Sequence, residues 1–488
     1  MNLLEDPWIP VTAGDERRQI TLEDLLCSDV SHALSHRRDD MEMAALQLLV
    51  CLVQAILTPE DDRELLLHLE RPLYRDRYRR AAEAKKSWFD LDHETTPFMQ
   101  DRGAKDQNVT GIQKLLPGLP EGDETACLFN SKDDIQCLCP SCAAIALFNQ
   151  ATGAPSFGGG FKDPLRKANP ITTLVFDADL RRMIWQNILP SDFIKKKLVS
   201  PDGQKRDAPN WVDKITAGTR LSAARIGLVR GLFWQPASLL LSWERERDTC
   251  SGCGAETETR VRSFGKRKFG YDLEEPLWPH PHSPRVLAKE KWFPVTYSDD
   301  IPPWARFSDI MIDSGEKEPA LALQHYRAIA PHSPLALSVG GYSNKQALIT
   351  RRHHDMITVG AGWPEHIDDI HGRVRLALAY GEALEKKLYG FGENCSKNGK
   401  SFKAKARDLF FQGTEALMHR SLQQTEWDEE KAFRLALAKK LERICRDLFE
   451  EMAAPYLDQP KGISAYAITQ KTLGKALNDL RKPLEEEE

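Results

Sequence analysis

A change of texture at Trp363-Pro364 constrains this chain more than any other feature. Beyond it, Ile367, Ile370, Val374, Ala377, Gly381, Leu384 and Leu388 recur at spacings of three and four. Phe402, Ala406, Leu409, Gly413 and Ala416 repeat the pattern. So do Leu437, Leu441, Ile444 and Leu448, and then Tyr466, Thr469, Leu473, Ala476 and Leu480. Each set lays one apolar stripe along a helix. Four such helices must cover one another's stripes, so residues 361–488 are expected to form an up-down four-helix bundle. Gly392, Asn398-Gly399 and the stretch from Pro455 to Gly462 read as the helix stops.

Residues 1–360 follow a different pattern. Met41 to Leu57 is apolar apart from Glu42, Gln47 and Gln54 and reads as a buried helix. Ile171 to Phe176 reads as a strand, and turn signals such as Pro117-Gly118-Leu119-Pro120 are frequent. The expected fold class is α+β: a mixed α/β N-terminal domain with long loops, residues 1–360, followed by an all-α four-helix bundle, residues 361–488. A length of 488 residues accommodates that division.

Charge narrows the function. Lys and Arg number 67 against 72 Asp and Glu, a net of -5, so the surface as a whole is no polyanion binder. Any nucleic-acid contact must be local. The N-terminus shows no basic segment followed by an apolar core, and no apolar run suits a bilayer, so a cytoplasmic protein with no membrane partner is expected.

Four of the 10 cysteines form two pairs, Cys139/Cys142 and Cys250/Cys253. Each Cys-x-x-Cys can offer two thiolates to one tetrahedral zinc, and two such knuckles leave no position open for water. The site would then be structural, clipping a long insertion onto its domain. Two unrelated pairs of free thiols are the plainer alternative.

Phe157-Gly158-Gly159-Gly160-Phe161-Lys162 is glycine-rich but lacks the Walker A spacing. It is either a flexible turn or a loop laid against phosphates or a groove. Arg260, Arg262, Lys266, Arg267 and Lys268 occur without an intervening acid, as do Lys397, Lys400, Lys403, Lys405 and Arg407. Such runs are ordinarily solvated faces, although phosphate contact would give them a purpose. His354-Asp355 has no companion ligands that would make a metal-dependent phosphohydrolase, and reads as a polar surface dipeptide. Neither Gly-x-Ser-x-Gly nor His-Glu-x-x-His occurs.

Several longer stretches are distinctive: Asn2-Leu3-Leu4-Glu5-Asp6-Pro7-Trp8-Ile9-Pro10-Val11, Ala143-Ala144-Ile145-Ala146-Leu147-Phe148-Asn149-Gln150 and Gly231-Leu232-Phe233-Trp234-Gln235-Pro236-Ala237. Pro279-His280-Pro281-His282-Ser283-Pro284 and Gly340-Gly341-Tyr342-Ser343-Asn344-Lys345-Gln346-Ala347 join the glycine loop in this set. Through them the chain resembles the CasA family, the large subunit of the type I-E CRISPR surveillance complex Cascade. The resemblance runs from residue 2 to the helical region. It implies a non-catalytic subunit that reads the short motif beside the target, the PAM, in double-stranded DNA and helps open the duplex into an R-loop. The implied partners are the other Cascade protein subunits, the CRISPR guide RNA, the target double-stranded DNA and an effector helicase-nuclease. Carried over by position, Gly158, Gly159 and Gly160 would press backbone into the PAM minor groove and Lys268 would reach the same groove. Gln346 and Ala347 would form a wedge at a hairpin tip. Phe129 and Asn130 would be the PAM-proximal pair, although this chain lacks the residue that separates them in the family. The alternative from another class is a zinc-containing nucleic-acid-processing enzyme, which the absence of a catalytic set disfavours.

Overall fold

A computed structural model of the chain describes residues 1–14, 16–119, 134–275, 277–297, 301–345 and 348–486. The chain divides into two compact units. One comprises Met1–Asp299, Asp313–Ile329 and Leu337–Met356; the other comprises Asp300–Ile312, Ala330–Ala336 and Ile357–Glu488. The second unit thus takes in two short earlier segments besides the C-terminal region. Trp304, in the first of those segments, packs edge-on against Phe411 at 5.7 Å.

In the first unit, strands β1 (Ile9–Ala13), β2 (Glu16–Ile20) and β3 (Ala33–Leu34) form a small sheet in the order β2-β1-β3. Helix α1 (Asp39–Ile56) follows and is buried on almost every side, as its nearly uninterrupted apolar sequence requires. The two glutamines in that run are satisfied by specific partners. Gln54 makes two bonds with the backbone of Leu189, at 2.9 and 2.7 Å, and Gln47 reaches Arg166 and His282. Strand β4 (Thr110–Gly111) precedes helix α2 (Pro140–Thr152), which begins on Pro140, a residue suited to a first helical turn.

Strand β5 (Thr172–Val175) falls where the apolar run predicts it. Strand β6 (Ala237–Glu244) leads to a short hairpin of β7 (Asp248–Thr249) and β8 (Glu256–Thr257), then to β9 (Arg260–Lys268). Strands β4, β9 and β6 form one antiparallel sheet in that order. Strands β10 (Leu335–Lys345) and β11 (Leu348–Val359) join β5 in another, ordered β11-β10-β5. Gly340 of β10 lies so close to α1 that a Cβ there would sit 2.3 Å from Met43 Sδ.

The core gathers around Phe233, whose ring meets Phe89, Phe98, Phe148 and Trp211 at 5.4 to 6.1 Å. Such tilted and edge-on pairs add roughly 0.5–1.5 kcal/mol each beyond area burial. The Pro279–Pro284 stretch builds a socket for the fully buried Arg166. Arg166 donates to Ser283 Oγ at 2.8 Å, to Thr172 Oγ1 at 2.7 Å and to the carbonyls of Thr152 and Ile171. Burial, then the Arg166 charge, pushes His282 down to about 3 and His280 well below its ordinary value.

In the second unit, four helices appear where the periodicity places them: α3 (Ile367–Ser396), α4 (Gly399–Gln423), α5 (Glu430–Ala453) and α6 (Pro460–Glu486). Helix α3 packs against the other three. Its buried Arg373 bonds Glu430 of α5 and the carbonyls of Ser421 and Gln424, between the rings of Trp427 and Phe433. Gly392 corrects one expectation. It is not a stop but lies inside α3, where a Cβ would come within 2.6 Å of the Phe402 ring, so close packing explains it. The turn itself uses Lys397 in the left-handed conformation. Among the described residues no helix is long and apolar enough to cross a membrane.

Candidate nucleic-acid interface

The four paired cysteines meet. The sulfurs of Cys139, Cys142, Cys250 and Cys253 all lie within 4.8 Å of one another, with Cys139 Sγ 3.8 Å from Cys253 Sγ. The first pair sits at the start of α2, Cys139 as its N-cap and Cys142 in its first turn. The second pair lies in the turn between β7 and β8. Hydrogen bonds from the Cys139, Cys142 and Cys253 thiols, together with the Cys139 N–H at 3.2 Å, hold the Cys250 thiol well below its ordinary value. His36 completes the surroundings. Its Nδ1 accepts the Arg38 N–H at 3.2 Å, so the neutral ring carries its proton on Nε2, 3.5 Å from Cys142 Sγ.

Leu138, next to Cys139, exchanges both backbone hydrogen bonds with Val261 of β9, at 3.0 and 2.9 Å. The cysteine tetrad therefore fixes the start of the strand that carries the first basic run. Along β9 the charges are sorted. Arg260 bonds Glu244, Glu246 and Asp248, and Arg262 shares Asp248. Arg267 bonds Asp101 at 2.9 Å. Lys266 lies over the rings of Phe157 and Phe161, at 5.0 and 5.9 Å, and burial lowers its pKa. Lys268, at the exposed end, stands 5.8 Å from the Phe161 ring and has no carboxylate partner among the described residues.

The glycine loop comes to that lysine. Gly158, Gly159 and Gly160 have φ of 74°, 56° and 85°, conformations that side chains disfavour, and the Phe161 N–H closes the turn on the Gly158 carbonyl at 3.0 Å. A Cβ on Gly160 would stand 3.0 Å from Lys268 Nζ, whereas one on Gly159 would meet nothing within 4 Å. The loop's flanking rings, Phe157 and Phe161, stack edge-on at 5.5 Å, and Phe157 packs against Phe264 of β9 at 5.9 Å. The arrangement offers bare backbone and one ammonium without a counter-charge side by side.

The pair of β10 and β11 is anchored through the last residues of β10 and the first part of β11. Tyr342 Oη donates to Asp40 at 3.0 Å and accepts from Asn149 Nδ2 at 2.7 Å. Arg38 and Arg352 also bond Asp40, and despite the opposing effect of burial they hold its carboxyl below the usual range. His353 stacks on Tyr297 at 4.1 Å and bonds Ser343. Gln346 and Ala347, which follow β10 in the chain, lie outside the described residues, as do Phe129 and Asn130.

Sequence reasoning singles out the cysteines, the loop and Lys268, and the structure brings the last two together. It misses Asp101, which ties Arg267 and Lys214 into one ion cluster at 2.9 Å each. Single polar residues in unremarkable sequence carry no local signal.

The family model for the CRISPR-associated protein Cse1 matches residues 2–448. The fold is similar to the crystal structure of Thermobifida fusca Cse1, at 19% identity and a TM-score of 0.76, covering 100% of this chain and 98% of that one. It is also similar to Thermus thermophilus CasA, at 18% identity and a TM-score of 0.72, covering 98% and 99%. A chain from a CRISPR RNA-guided surveillance complex matches at 14% identity and a TM-score of 0.68, covering 97% and 99%.

Proposed function

Because the chain belongs to the family of the CRISPR-associated protein Cse1, we propose that it is the non-catalytic large subunit of a type I-E Cascade complex and reads the PAM of double-stranded target DNA. The observation that carries this reading is the meeting of Gly160 with Lys268, an ammonium that no carboxylate among the described residues neutralises. Backbone N–H groups and one flexible cation suit the minor groove, whose acceptors distinguish few base pairs. A relaxed PAM follows. Guide-RNA pairing would read the remaining sequence, as in other RNA-guided effectors. That division agrees with a net charge of -5, since bulk phosphate affinity would be spread over the complex.

Gln346 and Ala347 would act as a wedge beyond the anchored strands, parting the first base pair at roughly a few kcal/mol per unstacked step. Phe129 and Asn130 would act nearer the PAM or the guide-RNA end. The four C-terminal helices form the up-down bundle implied by their stripes, and residues 1–360 the recognition domain. Other Cascade subunits, the guide RNA and an effector helicase-nuclease are the expected partners in the cytoplasm.

Cys139, Cys142, Cys250 and Cys253 would hold a structural zinc. Zinc–sulfur bonds of about 2.3 Å in a tetrahedron put neighbouring sulfurs about 3.8 Å apart, and the Cys139–Cys253 separation of 3.8 Å fits. Bound there, the metal supplies a cross-link and no open coordination position.

Reconstitution tests the reading. Cascade assembled with this chain should bind PAM-bearing duplex more tightly than the same complex without it, and the margin should vanish on duplex lacking the PAM. Equal margins on both duplexes would refute PAM reading. In the same assay Gln346→Ala with Ala347→Gly should slow R-loop opening more than initial binding.

A further inference from the structure

Beside Lys268 the first unit contains a cleft of about 450 Å³. Three cations line it, Lys214, Arg267 and Lys268, and Asp101 is the only carboxylate among the lining residues. Trp211, Ile215 and Phe269 add apolar wall. A cleft with a surplus of one sign and walls of low dielectric focuses its field on whatever enters. Such a cleft suits an anion.

Asp101 is held from four directions. It accepts from the Gly103 N–H and Ser238 Oγ at 3.0 Å each, and from Lys214 Nζ and Arg267 Nη2 at 2.9 Å each. Its side chain is 8% exposed, whereas those of Lys214 and Arg267 are 63% and 52% exposed. A carboxylate fixed by the surrounding backbone and Ser238 thus fixes two cations that stand in solvent. It cancels one of the two charges it holds. The Arg260 cluster is the opposite case, since three carboxylates surround that one guanidinium. An ammonium has three donors, so Lys214 gives one to Asp101 and keeps two for a partner. The chain around Lys214 is pinned as well. The Gly218 N–H donates to the Gly270 carbonyl at 2.6 Å, two residues beyond the end of β9, and the Trp211 indole N–H donates to the Trp88 carbonyl at 2.8 Å. Lys214 therefore has a set place on the cleft that Lys268 also lines.

We propose that Lys214 is a second DNA contact, which binds a backbone phosphate of the duplex whose groove Lys268 reads, and that Asp101 is the positioning residue that holds it there. The proposal rests on the reading that Lys268 faces the PAM duplex. The two lysines have different tasks. Lys268 stands beside bare glycine backbone and reads a groove. Lys214 meets a phosphate, which is the same at every base pair, so it sets register and carries no sequence information.

The salt dependence of duplex binding by assembled Cascade tests the proposal. Lys214→Gln changes a largely exposed position. It should remove about 0.9 from the slope of log affinity against log salt, so that affinity falls about 3.5-fold less between 50 and 200 mM salt. At 50 mM salt it should weaken PAM-bearing and PAM-less duplexes by the same factor. Lys214→Arg should keep both readouts at their wild-type values. An unchanged slope in Lys214→Gln, or a loss confined to PAM-bearing duplex, would overturn the phosphate contact. Asp101→Asn separates placement from charge. Removing a negative charge would by itself tighten DNA binding, yet weaker binding is expected because Lys214 loses its anchor. Unchanged or tighter binding would overturn the positioning role. Wild-type preference for PAM-bearing duplex is scored in the same titrations. Preference together with an unchanged Lys214→Gln slope rejects the contact and leaves PAM reading standing. A lowered slope without preference rejects PAM reading and leaves the contact.

Discussion

The two basic runs look alike in sequence and are built differently. In β9, three arginines are consumed by carboxylates and Lys266 is half-buried over two aromatic rings, so Lys268 is the cation left for a partner. In the run that opens α4, Lys403 and Arg407 share Glu385, at 3.8 and 3.3 Å, while Lys397, Lys400 and Lys405 have no carboxylate partner among the described residues. Carboxylates on β6, on β7 and in the turn between them, together with Asp101, sort the charges of the strand. The helical run keeps more of its cations for solvent. The difference teaches that the number of charges in a run says little about recognition. What matters is which cation the fold leaves unpaired and what it sets beside it.

The largest test of this contrast removes the anchor on one side only. Chelation, or Cys250→Ser, should lower the Tm of the first unit by on the order of 10 °C and free the start of β9. Amide exchange in α3–α6 should stay at its original rate; equal loosening of both units would remove the contrast. Gly160→Ala comes next. A left-handed alanine costs roughly 1–2 kcal/mol, and its Cβ would meet Lys268 Nζ. Gly159→Ala bears the same backbone cost without that contact, so PAM binding should suffer more from the first. Equal losses would show that Lys268 is indifferent to the loop.

Acid separates the units in another way. The buried His280 and His282 stay neutral in the folded first unit, whereas no histidine among the described residues of the second unit is buried. Their folded pKa values lie below the unfolded value of about 6.5, so the unfolded chain binds the extra protons. Stability is therefore complete above about pH 6.5 and falls as pH drops toward 3, by up to about 1.4 kcal/mol per pH unit for each histidine. Asp40 adds its own loss only below about pH 4, where its unfolded carboxyl protonates. Protection factors, which divide out the fall of intrinsic amide exchange with pH, should drop first in the Arg166 socket between pH 7 and 5. The smallest effect belongs to Lys403→Ala, whose half-exposed ion pair is worth under about 1 kcal/mol and should leave PAM preference unchanged.

The parts legible in the sequence are those set by local rules or scarce residue types. A 3.6-residue stripe fixes α3 to α6 without knowledge of their neighbours, and four cysteines in two pairs have few other uses. Gly392 shows the limit, since a glycine that permits Phe402 to approach looks the same as one that ends a helix. The Arg166 socket draws on residues 47, 152, 171, 172 and 283, and the pairing of Gly160 with Lys268 spans more than a hundred positions. Only folding, or a family resemblance, brings such residues together.

The most direct test of the central claim is the affinity of assembled Cascade carrying Lys268→Ala for PAM-bearing and PAM-less duplexes. The account predicts at least a tenfold loss on the first and little change on the second, a selective cost of about 1.4 kcal/mol. Equal loss on both duplexes would reduce Lys268 to a general phosphate contact and contradict its role as the reader.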